Sequence, residues 1–350
     1  MLHSNEVPVD NVREMEPQRV VVTGGLGFIG SALAERLLDA GAKVTIVDSL
    51  VSNVVAPAHF TSRFPLARVE VGTVSSYFAS HRFAQAYDLI VHAASLVGPA
   101  GILAHTGTIG ADIVLSTASV IEHCTTNAVP LVYLSSAEVF GRSGELSEAT
   151  EIRVPARYNA RIEYALGKLT CESMIVNSRS RGLRATIIRP FNVVGSRQSR
   201  DGGFVMPTFV QQALAGRPLT IFGSGQQRRA FTAVSDVVDF LTVHAIRALD
   251  DAHTIFNVGN PANNTSVVEL AHRVVALLKS SSELQFTDGA KIYGPLYCEA
   301  ESYDKLPVVD KAAAAGWNPR KSLDEIILEA ADFYRSNGNP LGADARRTAA

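Results

Sequence analysis

Cysteine and tryptophan are scarce in this 350-residue chain. It has three cysteines, Cys124, Cys171 and Cys298, and one tryptophan. The cysteines are far apart, form no CxxC pair and have no histidines at ligand spacing beside them, which argues against a disulfide framework and against a zinc site. We therefore expect reduced, mostly packed thiols and no bound metal.

The chain also has no large excess of charge of either sign and no long apolar run. The formal net charge is -2, and acidic and basic residues are interspersed, so no basic stripe is available to attract nucleic acid or an anionic membrane. Nowhere do about eighteen uncharged apolar residues run together, and residues 1–16 lack the apolar core of a secretory signal. These absences predict a cytoplasmic protein without nucleic-acid or membrane partners.

The apolar runs alternate with helical patterns through the first half of the chain. Hydrophobic residues make up 47% of the sequence, enough for a large α/β domain and a smaller one. Such alternation predicts a Rossmann-type, doubly wound parallel sheet joined by right-handed crossovers. The strand-like runs are 20–22, 43–47, 67–71, 89–92, 131–134 and 185–189.

Changes in this pattern predict the domain boundaries. After residue 195 the sequence becomes polar and glycine-rich, and shorter mixed elements follow. We predict a Rossmann domain at 17–190, rejoined by a segment near 233–260, and a smaller mixed α/β substrate-binding domain mainly at 191–338, which includes a final helix at 323–333. Residues 1–16 and 339–350 are predicted to be flexible tails.

The most informative motif is the run VVVTGGLGFIG at residues 20–30. An apolar strand ends at Val22, and Gly24, Gly27 and Gly30 precede a helical stretch. Glycines at this spacing permit a tight turn, close approach of a pyrophosphate and close helix packing, while the helix N-terminus favours negative charge. The motif predicts a dinucleotide site; the alternative is a strand-to-helix turn that holds no ligand.

The second strand-like run, 43–47, is followed by Asp48, eighteen residues after Gly30. A carboxylate at this position accepts hydrogen bonds from both ribose hydroxyls and repels a 2'-phosphate. The expected cofactor is therefore NAD rather than NADP.

Tyr164 and Lys168 stand four residues apart in a helical stretch, so their side chains project from one face. An ammonium beside a phenol lowers the phenol pKa, which would let Tyr164 act as a general base while Lys168 also holds the cofactor ribose. The spacing alone favours an ordinary surface pair on a helix. However, the strand at 131–134 leads into Ser135 and Ser136, at the sheet edge where ligands bind, and Ser136 is expected to share the substrate hydroxyl's proton with Tyr164.

With these residues in place, the chain resembles the extended short-chain dehydrogenase/reductases of the nucleotide-sugar epimerase, dehydratase and decarboxylase family. The resemblance covers about residues 18–335 and includes HAAS at 92–95, SSAEVFG at 135–141, YALGK at 164–168 and RPFNVVG at 189–195. It implies tightly held NAD that oxidises a sugar hydroxyl, usually at carbon 4, to a ketone and usually returns the hydride. By position, it implies Ser136, Tyr164 and Lys168 as the catalytic serine, base and lysine.

The resemblance also implies binding residues and partners. The substrate would be a nucleoside-diphosphate sugar, UDP-linked, and the assembly a homodimer formed around the helix that carries Tyr164 and Lys168. Arg229 has a fixed fork of donors that suits a diphosphate, although it and Arg228 could be a solvated pair, and Asp236 could be a helix cap. Further cofactor contacts are implied at Phe28, Ile29, Ala93 and Ala94, and further substrate contacts at Asn192, Val205, Phe222 and Lys305.

Glu138 is the residue that discriminates between the family's reactions. Dehydratases carry an aspartate where this chain has Ala137, and that aspartate would protonate the leaving hydroxyl, so a 4,6-dehydratase is disfavoured. Glu138 is a candidate acid or base near carbon 5. Together with Gly167 and the GNP segment at 259–261, it makes the chain resemble UDP-glucuronate decarboxylases, in which a carbon-4 ketone turns the substrate into a β-keto acid that loses carbon dioxide without a metal.

Several residues depart from the family pattern. Lys305 stands where such relatives place an arginine near the substrate carboxyl group. Thr73 and Asp112 stand where many relatives have an adenine-contacting aspartate and an asparagine, and the loop at 96–110 also differs and is expected to reshape the pocket over the sugar.

Two alternatives stay open. A 4-epimerase needs only NAD, Ser136, Tyr164 and Lys168, and Glu138 would then be structural. A non-catalytic NAD-binding scaffold is the other alternative, and the intact catalytic residues argue against it.

Overall fold

The computed structural model describes residues 19–82, 87–156, 159–251, 254–294 and 304–337. Both predicted tails and Cys298 lie outside these ranges. Cys124 and Cys171 are buried free thiols.

The strands in these ranges are, in chain order, β1 (Arg19–Thr23), β2 (Lys43–Asp48), β3 (Arg68–Val71), β4 (Leu89–His92), β5 (Leu131–Leu134), β6 (Gly144–Leu146), β7 (Ala185–Pro190), β8 (Val193–Val194), β9 (Leu219–Phe222), β10 (Arg228–Ala230), β11 (Thr232–Ala233), β12 (Ile255–Val258), β13 (Asn264–Ser266), β14 (Leu284–Thr287) and β15 (Lys305–Pro307). The six predicted strands correspond to β1 to β5 and β7, with bounds that agree to within one residue.

The helices in the same ranges are α1 (Phe28–Asp39), α2 (Pro57–Arg63), α3 (Val74–Ser80), α4 (Pro99–Ala104), α5 (Ile109–Asn127), α6 (Ala160–Ser178), α7 (Val205–Leu214), α8 (Val234–Asp239), α9 (Ala245–Arg247), α10 (Val267–Leu278), α11 (Ala290–Tyr293), α12 (Asp310–Ala314) and α13 (Leu323–Ser336). Short 3-10 turns occur at Ala137–Phe140, Arg179–Arg181, Arg200–Gly202 and Pro261–Asn263, and a π-helical turn occurs at Phe240–His244. No helix within the described part of the chain is long and apolar enough to span a bilayer.

Seven parallel strands form the larger sheet, in the order β12-β7-β5-β4-β1-β2-β3. The chain moves outward from β1 to β3 and then crosses to β4 on the other side of β1, so the order reverses between β1 and β4. This arrangement confirms the predicted doubly wound α/β fold. In such sheets, ligands bind beyond the carboxyl ends of the strands at the point of reversal.

Apolar residues cover both faces of this sheet. Val20 and Val22 pack on one face with Leu33 of α1, whereas Val21 packs on the other face with Ile113 of α5. Successive strand residues point to opposite faces, so a continuous apolar run such as that of β1 is required where both faces are buried. The sheet is thereby held rigidly between helical layers.

A smaller mixed sheet, in the order β13-β10-β15-β6, lies beside the paired strands β9/β14 and β8/β11. Its helices α7, α10 and α13 share an apolar core that includes Phe209, Leu270 and Ile327. Capping boxes at Ser266 and Ser322 begin α10 and α13.

Two strands bear on the predicted domain organisation. β12 pairs with β7 and completes the larger sheet, while β6, which precedes residue 190, pairs with β15 in the smaller one. The chain therefore passes between the two sheets more than once, and the boundary at 190 stays a prediction.

Candidate active site

A cavity of about 470 Å³ opens beyond the carboxyl ends of β1, β4, β5 and β7. The turns that follow these strands, together with α6 and the smaller sheet, form its wall. The predicted site residues that line it are Gly24, Gly27, Phe28, Ile29, Gly30, Ala93, Ser136, Glu138, Tyr164, Lys168, Asn192, Val205, Phe222 and Arg229. Their convergence from distant sequence positions identifies this cavity as the candidate site.

The glycine turn after β1 forms one end of the cavity. A Cβ on Gly24 would lie 2.7 Å from the Ala94 Cα, and a Cβ on Gly30 would lie 2.1 Å from the Gly24 carbonyl oxygen. Gly27 is the N-cap of α1, so no side chain occupies the helix N-terminus, and the first turn of α1 lines the cavity. Open amides at a helix N-terminus suit a phosphate, and these residues therefore fit the diphosphate of NAD.

Asp48 supports this turn from behind. Its carboxylate accepts hydrogen bonds from the backbone amides of Leu26, at 2.9 Å, and Leu50, at 2.8 Å. The cavity wall does not include Asp48 or Ala94, whose amide donates to Thr23. Each carboxylate oxygen can accept a further bond, so the predicted ribose contact of Asp48 stays a prediction.

Tyr164 and Lys168 lie on α6, which begins where the Asn159 side chain accepts a hydrogen bond from the Ile162 amide at 3.0 Å. The side chains of Ser136 and Ser95 lie near the Tyr164 hydroxyl. The Lys168 ammonium donates to the Leu134 carbonyl at 2.8 Å and lies 6.0 Å from the centre of the Tyr164 ring. The structure thus brings the predicted serine, tyrosine and lysine to one place.

The predicted direction of the Tyr164 pKa is wrong for this structure. Burial raises the pKa of the phenol, and the nearby hydroxyls of Ser136 and Ser95, which favour the phenolate, do not offset this effect. Burial also lowers the pKa of Lys168 to about 8. Because the ammonium points to the Leu134 carbonyl rather than to the phenol oxygen, it is not placed to activate Tyr164 directly.

Glu138 lies in the 3-10 turn after β5, and its amide donates to the Ser136 side chain at 3.1 Å. Its carboxylate forms an ion pair with Lys305 at 2.7 Å and approaches Arg161 at 3.7 Å. Lys305 reaches this position because β15 pairs with β10, which places it beside Arg229. Three cations therefore surround one carboxylate at this end of the cavity.

These cations determine the protonation of Glu138. Burial alone would raise its pKa, but Lys305, Arg161 and Arg229 together lower the pKa to about 2. Glu138 is consequently ionised near neutral pH and has no proton to donate, so the prediction that it could serve as an acid is wrong. Its low pKa also makes it a weak base.

The structure corrects the prediction for Lys305. Its side chain is 4% exposed and does not line the cavity, because it sits behind Glu138 as the ion-pair partner. Burial lowers the pKa of Lys305 to about 8 against the raising effect of Glu138. Direct contact with a substrate carboxyl group is therefore blocked by Glu138.

Sequence reasoning missed Arg161, Asn159 and Ser95, all of which line the cavity. Arg161 had a detectable signal, because it precedes Tyr164 by three residues and Lys168 by seven, which places all three on one helix face. Ser95 lies at the end of the HAAS segment, which sequence reasoning used only as a family motif.

The structure assigns other roles to three residues considered above. Thr73 caps α3 by accepting from the Ser76 amide at 3.2 Å. Asp112 is exposed in the first turn of α5, where the helix dipole favours an acid, and it does not line the cavity. Asp236 accepts from the backbone amides of Arg320 and Lys321, so its contacts are structural, but it is not a helix cap, because the N-cap of α8 is Ala233.

The remaining substrate candidates face the cavity. Arg229 donates to the Arg228 carbonyl at 2.6 Å and lies 4.0 Å from Asp304. In the loop at 96–110, α4 and the residues before it line the cavity, through Val97, Gly98, Pro99, Ile102 and Leu103. This loop therefore shapes the pocket, as its departure from the family pattern predicted.

A buried polar network lies beneath the turn that carries Ser136. The Ser135 hydroxyl donates to Glu172, which forms a bidentate ion pair with Arg189 at 2.9 and 2.6 Å. Both charged side chains are 3% exposed. The network connects α6 to β7 directly beneath the turn that carries Ser136 and Glu138.

Known proteins are similar to this chain in sequence and in architecture. The chain is 28% identical to a UDP-N-acetyl-alpha-D-glucosaminuronate decarboxylase of Bacillus cytotoxicus, covering 92% of this chain and 99% of that one. It is 30% identical to UDP-glucuronic acid decarboxylase 2 of Arabidopsis thaliana, covering 90% and 68%. The structure of Thermus thermophilus UDP-glucose 4-epimerase in complex with NAD matches with a TM-score of 0.74 at 23% identity, covering 91% and 99%.

Residues 20–259 match the sequence model of the NAD dependent epimerase/dehydratase family. This range includes the glycine turn, the seven strands of the larger sheet apart from Arg19, and Ser136, Tyr164 and Lys168. The match confirms both the predicted resemblance and NAD as the cofactor. The chain belongs to the NAD dependent epimerase/dehydratase family.

Proposed function

We propose that this enzyme decarboxylates a nucleoside-diphosphate-linked uronic acid, UDP-glucuronate or a close analogue, through a transient ketone at sugar carbon 4. The observation that carries the proposal is the positive charge at one end of the cavity, where Lys305 and Arg161 share the single carboxylate of Glu138, which leaves one positive charge in excess. A carboxylate substrate would compensate this excess.

Arg161 is the cation best placed to meet that carboxylate. It lines the cavity with 25% of its side chain exposed, and its contact with Glu138 at 3.7 Å is longer than a hydrogen bond. Its planar fork can therefore bind a sugar carboxylate in a bidentate manner, whereas Lys305 is committed to Glu138. The names of the decarboxylase relatives support the same substrate class.

The positions of the side chains suggest a role for each of them in the oxidation of carbon 4. NAD, when bound, supplies the hydride acceptor for carbon 4. The positive charge of the nicotinamide ring, when NAD is bound, would favour the Tyr164 phenolate, which would then take the proton of the carbon-4 hydroxyl. Ser136 and Ser95 lie beside the phenol oxygen, and the hydroxyls of Tyr164 and Ser136 would donate hydrogen bonds to the ketone oxygen.

Decarboxylation then needs little further machinery. The electrons of the bond between carbon 5 and the carboxyl carbon pass to the ketone oxygen as an enolate, which Tyr164 and Ser136 stabilise. Carbon 5 takes its proton from water, because ionised Glu138 has none to give. The role of Glu138 is to hold Lys305 and Arg161 in position.

A 4-epimerase is the second candidate. It is favoured by the engagement of Glu138 in ion pairs, as expected of a structural residue, and by the fold shared with UDP-glucose 4-epimerase. The homodimer, the cytoplasmic location and the UDP base belong to the proposal and stay predictions.

Incubation with UDP-glucuronate, UDP-glucose and their 4-epimers, followed by mass spectrometry, tests the reaction. Loss of a carboxyl mass from UDP-glucuronate is the expected result. Isomerisation without a change of mass would assign the protein to the epimerases, and NAD binding without turnover of any sugar would support a scaffold.

Arg161→Ala tests the recognition step. We expect the KM for UDP-glucuronate to rise about tenfold or more, since the variant loses a charge-assisted bidentate contact, while UDP-glucose binds as before. Arg153→Ala removes an exposed arginine outside the main cavity and serves as the matched control. An equal loss of affinity for both sugars would show that Arg161 does not read the carboxylate.

A further inference from the structure

Residues 195–204, here named the strap, form one wall of the cavity. The strap runs from the end of β8 to the start of α7, and Gln198, Ser199, Gly202, Gly203 and Phe204 line the cavity. The same cavity is lined by the first turn of α1, which carries the diphosphate-binding glycines. The strap therefore faces the place where NAD binds.

An ion pair ties the strap to α1. Arg197 donates to both oxygens of Glu35, at 2.7 and 2.8 Å, and the two side chains are 24% and 12% exposed. Glu35 follows Phe28 by seven residues, which places it two turns along the same face of α1. Partial burial and bidentate geometry make this pair stronger than an ordinary surface salt bridge.

The backbone conformation of Arg197 is strained. Its φ is 68°, in the left-handed region that is unfavourable for residues with a Cβ. The ion pair holds the residue in this conformation, so its loss releases strain as well as a contact.

The rest of the strap is held by other contacts. The Tyr334 hydroxyl donates to the Gln198 carbonyl at 2.6 Å. Gly98 packs so closely that a Cβ there would lie 2.3 Å from the Gly202 carbonyl oxygen. Breaking the pair with Glu35 is therefore expected to loosen the α1 end of the strap and leave its other anchors in place.

We propose that Arg197 and Glu35 form a latch that sets the rate at which NAD enters and leaves the cavity. They are positioning residues, since they act through the strap and do not line the cavity themselves. The latch concerns retention of NAD and is independent of whether the sugar is decarboxylated or epimerised.

The test measures exchange of bound NAD for isotopically labelled NAD in the full-length enzyme. Glu35→Gln and Arg197→Ala should each speed exchange by about tenfold, the effect of losing one partly buried ion pair. Amide hydrogen exchange should rise in residues 195–204. Arg197→Gly loses the pair but relaxes the backbone, so its exchange should be slower than that of Arg197→Ala.

Arg63→Ala is the matched control. Arg63 contacts the same Glu35 carboxylate at 3.3 Å from α2, but its side chain is 58% exposed and does not touch the strap. The Arg63→Ala variant should exchange NAD at the wild-type rate. NAD exchange within twofold of wild type in both latch variants, with the strap loosened by hydrogen exchange, would overturn the proposal.

Salt provides a second measurement that needs no new variant. Higher ionic strength screens the latch and should accelerate NAD exchange in the wild type more than in Glu35→Gln. An equal salt effect in both proteins would also overturn the proposal.

Discussion

Replacement of Lys305 by methionine exposes the energetics of the charged cluster. Lowering the Glu138 pKa from its ordinary 4.5 to about 2 corresponds to about 3 kcal/mol of folding free energy at neutral pH, since each tenfold change in acidity is worth about 1.4 kcal/mol. The Glu138 side chain is 27% exposed, so solvent reduces this value and about 3 kcal/mol is an upper bound.

The cost of burying Lys305 opposes that contribution. Its pKa falls from 10.5 to about 8 in the folded protein, a cost of similar size, about 3 kcal/mol at neutral pH. The intact pair is therefore nearly neutral for stability, whereas Lys305→Met leaves Glu138 without its nearest cation. Because the substitution removes the cost of burying Lys305 together with its attraction to Glu138, the coupling between Lys305→Met and Glu138→Gln is what isolates the pair, and we expect this coupling to be about 1 to 3 kcal/mol.

Urea unfolding of the four NAD-saturated proteins at pH 7 measures this double-mutant cycle. The Glu138 contribution is fully present above pH 4.5 and is lost as the pH falls through about 2, because the folded pKa is the lower one. Lys305→Met should therefore show a weaker loss of stability on acidification below pH 4.5. Effects of Lys305→Met and Glu138→Gln that add to within about 0.5 kcal/mol in the double variant would refute this account.

Three further substitutions test the site. Tyr164→Phe should keep NAD but abolish hydride transfer, so a persistent NADH absorbance transient on adding sugar would exclude Tyr164 as the base. Gly30→Ala should lose bound NAD and destabilise the fold by roughly 2 kcal/mol or more, because its Cβ would meet the Gly24 carbonyl at 2.1 Å; unchanged NAD content and melting temperature would contradict the packing argument. Glu172→Gln should cost about 3 kcal/mol in urea unfolding by leaving Arg189 buried without its partner, and a cost near zero would show that the network is dispensable.

Local pattern was sufficient to predict the larger sheet. The run at β1 is apolar at each of its three central positions and is followed by glycines, and only a strand buried on both faces and a tight turn into a helix satisfy both features. The carboxyl ends of parallel strands meet at one sheet edge, so the convergence of Gly24, Ala93 and Ser136 on one cavity followed from their positions in the sequence.

The charged end of the cavity could not be predicted in the same way. Glu138 and Lys305 are far apart in sequence and meet only because β15 pairs with β10 and β6 in the smaller sheet. The pKa of Glu138 depends on burial and on three cations from three elements, and the pKa of Tyr164 depends on the burial of its side chain. Periodicity and motif spacing contain no information on such distances.

The sequence by itself therefore determined the doubly wound sheet, the glycine turn and the meeting of Ser136, Tyr164 and Lys168 at one cavity, because these depend on residues close together in the chain or at equivalent strand ends. Only the tertiary structure decided that Glu138 is an ionised partner of Lys305, that Arg161 faces the cavity and that Arg197 ties the strap to α1. Electrostatic interactions fall off over a few ångströms, so they are set by which side chains the packed fold brings together.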